Sequence, residues 1–315
     1  CASSDHTISS SISPANKPEG FSMTAHPWIH RLAPWIAPIF VFLWSTGFII
    51  ARYSMPYAEP MTIIFIRFGS VVLCMLPVVM IWKAPWPNRS QIIHIAIAGA
   101  LLQAGYVGGV WAAVKEGMSA GLTALIVGLQ PILTAWFAAW IAEKVTPKQW
   151  LGLILGLLGV GLVVWAKLSL TGMSHLSLVF IVIALLSITL GTLYQKKYCA
   201  QFDLRTGSVI QFAASAMICL PLMFLFETRE IIWAPELILS LIWAVLALSI
   251  GAISLLFVMI RNGEATRVTS LMYLTPPTTA IMAWLLFNEP ITWTIILGIA
   301  ITMSAVILVN RTTSK

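Results

Sequence analysis

The stretch Ile66-Arg67-Phe68, followed nine residues on by Pro77, is written a second time as Ile210-Gln211-Phe212 with Pro221, 144 residues downstream. The echo extends both ways. Upstream, Gly47 and Arg52 return as Gly191 and Lys196 at the same offset. Downstream, Ala120, Leu129, Pro131, Thr134 and Ala135 return one residue later as Ala265, Leu274, Pro276, Thr279 and Ala280. After one more inserted residue, Glu143 and Gly152 return as Glu289 and Gly298. Each copy holds five apolar segments, and an odd number forces the second copy to cross a bilayer in the opposite sense. Inverted repeats of this kind build a site near the midplane, where the two copies meet.

Composition fixes the solvent. Hydrophobic residues make up 59% of 315 positions and charged ones 9%, with a mean hydropathy of +0.92. A soluble domain carries about a quarter charged residues, so the bilayer is the partner of most of this surface. The net charge of +7 comes from basic residues set singly between apolar runs, which does not make a nucleic-acid surface. Cys1, Cys74, Cys199 and Cys219 have no paired or metal-like spacing, and no metal or cofactor is expected. Residues 1–22 are polar and Ser-rich without an apolar h-region, so a signal peptide is not expected and Met23 is the expected natural start.

A helical span needs about 20 mostly apolar residues. Ten stretches qualify: 34–53, 60–82, 91–113, 120–142, 149–166, 176–196, 207–226, 236–260, 266–287 and 291–310. The expected fold is an all-α membrane protein of ten transmembrane helices in a 5+5 inverted repeat. A disordered segment 1–33 precedes a first repeat 34–168 and a second repeat 174–310. With the N-terminus in the cytoplasm, thirteen Lys and Arg fall in cytoplasmic loops and tails and four (Arg52, Lys115, Lys167, Arg229) on the other side. That asymmetry puts both termini inside.

Arg67 is the one charge set well within a span. A guanidinium at that depth is costly unless it faces protein or water, which makes it a functional candidate for holding a substrate carboxylate. The structural reading is an Arg bonded to helix-end carbonyls or to Glu59. Its repeat mate is the neutral Gln211. All eleven acids fall in tail, loops or span ends, so no membrane-embedded carboxylate is expected to relay protons; His94 sits near the inner boundary. Trp44, Tyr106, Gln130 and Tyr273 lie deeper than the interfacial aromatics and are candidates to line a cavity with Arg67 and Gln211. Pro131 and the pair Pro276-Pro277 fall mid-span at equivalent repeat positions. Each removes a backbone bond and is expected to kink its helix and expose carbonyls along a passage. Pro77 and Pro221 form a second symmetric pair. Gly152, Gly156 and Gly159, with Gly298, Thr302 and Ala305, read as a packing seam, within the chain or against a second copy in a homodimer.

These residues resemble a family. Trp44-Ser45, Pro60 with Arg67-Phe68, Leu129-Gln130-Pro131, Glu143 and Gly152, together with their second-copy counterparts, are similar to EamA-type members of the drug/metabolite transporter superfamily over about residues 35–310. The resemblance implies ten helices around a central cavity, the fifth and tenth peripheral, and export of amino acids, other metabolites or toxic compounds. Arg67, Glu143 and Glu289 match its pattern positions. The expectation is therefore an inner-membrane carrier working by alternating access on a small carboxylated or aromatic metabolite. Arg67 would take the carboxylate, and Trp44, Tyr106 and Tyr273 the apolar part. An exporter of cationic drug-like compounds is the alternative within transport, and a non-transporting membrane scaffold the alternative outside it. A membrane-embedded enzyme would need an intramembrane catalytic set that the sequence does not display.

Overall fold

The computed structural model describes residues 27–141, 147–171, 174–199, 202–252, 255, 272 and 274–313. Its elements are helices: α1 Pro27–Ser54, α2 Pro60–Ile81, α3 Arg89–Lys115, α4 Ala120–Val127, α5 Gln130–Ile141, α6 Pro147–Thr171, α7 His175–Tyr198, α8 Leu204–Phe226, α9 Pro235–Ala252, α10 Thr275–Phe287 and α11 Trp293–Thr313. Among the described residues there is no strand, only an isolated bridge between Ala58 and Ile231. Five helices (α2, α3, α7, α8, α9) are long and apolar enough to cross a membrane; Pro38–Ser54, Ala120–Thr134, Trp150–Trp165 and Trp293–Leu308 are shorter apolar stretches. Leu73, Met80, Trp165 and Phe226 stand exposed on these helices, the state in which a side chain meets lipid at no hydrophobic cost. The chain is a multi-pass membrane protein.

Local chemistry sets the helix starts. Pro60 and Pro235 occupy first-turn positions where a missing N–H costs nothing. The side chains of Ser119, Ser174 and Asp203 accept the first free backbone N–H groups of α4, α7 and α8, and Asn88 with Gln91 forms a reciprocal capping box at α3. α1 begins at Pro27, so residues 27–33 are helical although the sequence reading leaves them in the tail. Residues 1–26, which hold Cys1 and Met23, lie outside the described residues.

Repeat mates pack on each other. Phe68 of α2 and Phe212 of α8 are mates, both fully buried, with ring centroids 5.4 Å apart. In the same way α6 lies against its mate α11, while α4 packs against α10, the counterpart of its neighbour α5. A Cβ on Gly298 would stand 2.1 Å from Val163 Cγ2 and 2.8 Å from the Gly159 carbonyl oxygen, and one on Gly159 would stand 2.7 Å from Thr302 Oγ1. The small-residue seam expected from the sequence thus joins two helices of one chain. Close backbone approach is the main source of helix association in lipid, so Gly298→Val is expected to destabilise by about 1–3 kcal/mol through overpacking. A lowered thermal midpoint of the purified variant in detergent checks this, and an unchanged midpoint would refute the contact.

Two departures from regular helix matter for function. First, α3 and α9 carry π-helical stretches at Ala100–Gly105 and Trp243–Ala252, which correspond through the 144-residue offset. Second, the span expected over 120–142 is not a kinked helix but a broken one. α4 stops at Val127, Gly128 and Leu129 form a turn, and α5 begins at Gln130 with Pro131 in its first turn. Likewise Pro276 and Pro277 sit in the first turn of α10, after a turn at Leu274. Proline is tolerated best in a first turn, so the chain breaks ahead of each one. Pro77 and Pro221, by contrast, lie inside α2 and α8.

One end of the bundle is sewn shut across the repeats. Arg52 at the end of α1 pairs with Glu289, which precedes α11 and also accepts the Ala120 N–H of α4 at 3.2 Å. Glu227, after α8, accepts from the N–H groups of Met61 and Thr62 at 2.6 and 2.7 Å, capping α2. Glu59 in turn accepts from the Thr228 N–H at 2.6 Å and its hydroxyl at 2.8 Å.

Candidate functional site

Arg67 lies on α2 and is 7% exposed. Its Nε and Nη2 donate to Ser249 Oγ at 3.2 and 3.0 Å, and that hydroxyl donates to the Ala244 carbonyl at 3.0 Å. The Ala244 bond runs back five residues, which only the π-helical stretch of α9 permits. A guanidinium offers five N–H donors, and a single neutral hydroxyl engages two of its nitrogens. Among the described residues no carboxylate lies within ion-pair distance of it. Glu59, the structural partner considered from sequence, is turned to Thr228 instead. Burying a lone charge is expensive unless it is answered by a counter-charge or by hydrogen-bond partners. Tyr106 is within electrostatic reach of it.

A second feature lies between α1, the α4–α5 break and the start of α10. It is a small cleft with about 20 Å³ of open space, lined by Trp44, Phe48, Ala124, Val127, Gly128, Gln130, Pro131, Met272 and Thr275. Three residues singled out in the sequence, Trp44, Gln130 and Pro131, come together here. Gln130 Nε2 donates to Thr192 Oγ1 on α7 at 3.1 Å, which fixes the amide, and Thr192 donates to the Ile188 carbonyl at 2.7 Å. Pro276 flanks the cleft, its Cγ 3.0 Å from where a Cβ on Gly128 would stand. Pro277 follows it in the same turn. Glycine at 128 lets the two half-helices approach this closely.

The arrangement separates what the sequence reading groups together. Arg67 and Tyr106 do not line the cleft. Gln211 does not line the cleft either; it donates to Gln195 Oε1 at 3.3 Å, with its backbone against Gly99. Tyr273 and Glu143 lie outside the described residues, although Met272, the neighbour of Tyr273, is at the cleft. Ser249 and Thr275 are the residues that sequence reasoning missed. Thr275 is discoverable as the hydroxyl directly before a mid-span proline pair. Ser249 has no such signal, because its aim at Arg67 depends on π-helical register.

Comparison with known proteins agrees with this architecture. The model of the EamA-like transporter family matches residues 32–165 and 175–311. The uncharacterized transporter YvbV of Bacillus subtilis is 27% identical over 86% of this chain and 88% of its own length. The uncharacterized inner membrane transporter YedA of Escherichia coli K12 is 22% identical over 89% and 92%. A probable amino-acid metabolite efflux pump of Salmonella typhimurium is 23% identical over 51% of this chain and 52% of its own. A solved crystal structure superposes with a TM-score of 0.61 at 15% identity, covering 90% of this chain and 99% of that one, and so shares its fold.

Proposed function

The chain belongs to the EamA-like transporter family, and we propose that it exports small amino-acid-like or aromatic carboxylated metabolites across the inner membrane by alternating access. Its general role as a membrane transporter follows from the family. The finer reading rests on one observation, a buried guanidinium at Arg67 answered, among the described residues, only by the hydroxyl of Ser249. That geometry leaves donors free for a carboxylate, and a charge-assisted bidentate pair is the strongest recognition the site offers. The efflux pump similar to half of this chain is named for amino-acid metabolites, which points the same way.

In this reading the chain crosses the membrane ten times, five per repeat, with both termini in the cytoplasm. The broken pair α4–α5 counts as one crossing, and the segment 266–287 containing α10 as its mate. The end closed by Arg52 and Glu289 then faces outward. Discontinuous helices at the repeat interface supply unpaired backbone groups at mid-membrane, and rocking of one repeat against the other exposes the cleft to either side. The deciding test is exchange in proteoliposomes carrying the purified chain. Radiolabelled aromatic amino acids are expected to exchange against unlabelled ones, whereas a scaffold gives no flux.

A further inference from the structure

We infer that the cleft at the α4–α5 break receives the ammonium group of the transported molecule, a role distinct from that of Arg67. The inference rests on the carrier reading above and deepens it. The described lining offers hydrogen-bond acceptors and an aromatic face, and carries no cationic side chain.

The acceptors come from the break itself. Val127 lines the cleft, and Pro131, four residues on, has no N–H to return to its carbonyl. The last turn of α4 therefore presents a carbonyl without that intrahelical partner, at the helix end where the dipole is negative. Gln130 also lines the cleft, and because its NH2 is engaged by Thr192 its amide oxygen is the group left to accept. The third acceptor is independent of the helix end. Thr275 is 6% exposed and lines the cleft, and its Oγ1 has no hydrogen-bond partner among the described residues. A buried hydroxyl left in that state is costly unless something visits it. Carbonyl, amide oxygen and hydroxyl match the three N–H donors of a primary ammonium, and Trp44 supplies a ring face for the same charge. None of the described lining residues is a carboxylate, so the cation is held by dipoles and can leave again, as a carried group must.

The test is calorimetric binding to the purified full-length chain with three ligands of one size: phenylalanine, phenethylamine and 3-phenylpropanoate. Thr275→Val, which keeps the shape and removes the hydroxyl, is expected to weaken phenylalanine and phenethylamine about tenfold and leave 3-phenylpropanoate unchanged. Gln130→Leu serves as a second variant should the first fail to fold, with the same expected pattern. Equal weakening of all three ligands, no weakening of the amines, or a sodium requirement without discrimination among the three would each overturn the ammonium site. Failure of the wild-type chain to exchange any amino acid in proteoliposomes while it still binds phenethylamine through Thr275 would instead sink the carrier reading and leave this site standing.

Discussion

Arg67→Gln is expected to abolish export of carboxylated substrates while leaving a folded, membrane-inserted protein. Losing one partner of a buried charge pair costs about 2–4 kcal/mol, a factor of roughly 30 to 1,000 in binding. Glutamine is the informative substitution because the inverted copy already carries it, as Gln211, half-buried and hydrogen-bonded at the equivalent place. The fold therefore tolerates the amide. It can still bond Ser249 but cannot offer a charged fork. Arg67→Lys keeps the charge without the fork and should retain part of the activity. Carboxylate-free analogues such as phenethylamine should be unaffected by either change, a discrimination that a merely misfolded variant cannot produce. Full transport by Arg67→Gln in proteoliposomes would remove the arginine from the substrate path.

The second large effect is expected at Glu289. Its carboxylate ties three elements at one end of the bundle: α1 through Arg52, α4 through the Ala120 N–H, and the segment leading into α11. Two of those helices, α1 and α4, also wall the cleft, through Trp44 and Val127. In the proposed alternating-access cycle, opening the cleft at this end would break the tie. Neutralising it with Glu289→Gln removes an ion pair that is partly screened on the Arg52 side, and an anion favourably placed at a helix N-terminus. A loss of about 1–2 kcal/mol tilts a two-state equilibrium roughly 5- to 30-fold toward opening at that face. The measurement is the rate at which a cysteine at position 275 reacts with an impermeant maleimide added from outside. It should rise by that factor in Glu289→Gln. The exchanged pair Arg52→Glu with Glu289→Arg should restore only part of the closure, because a cation at position 289 opposes the α4 dipole and cannot accept the Ala120 N–H. Unchanged reactivity in Glu289→Gln would show that the tie does not control access.

The sequence disclosed the parts of this protein that hydrophobicity and backbone chemistry determine locally. Apolar run length found the five helices long enough to cross a membrane, and the repeat was legible from Arg67 and Gln211 with their shared neighbours; the caps at Asn88, Ser119, Ser174 and Asp203 came from the structure. Pro131 announced a disturbance, but its form, a break ahead of the proline and not a bend at it, depends on Gly128 allowing Pro276 to close in from the other repeat. The partner of Arg67 was not legible. Ser249 reaches it only because α9 winds with a five-residue bond, and hydropathy periodicity does not distinguish that register from an ordinary helix. Arg52 was visible as a loop charge used for topology, and Glu289 as the repeat counterpart of Glu143. Their pairing, 237 residues apart in the chain, is a property of how the two copies fold together.

The most direct measurement of the central claim concerns two loop positions that the repeat makes equivalent, Trp86 and Glu230, both exposed and 144 residues apart. Single cysteines are placed at each in a chain whose native cysteines are replaced by serine, and intact cells are treated with an impermeant maleimide. The inverted arrangement predicts that Glu230→Cys labels at once and Trp86→Cys only after permeabilisation. Labelling of both from the same face would contradict it.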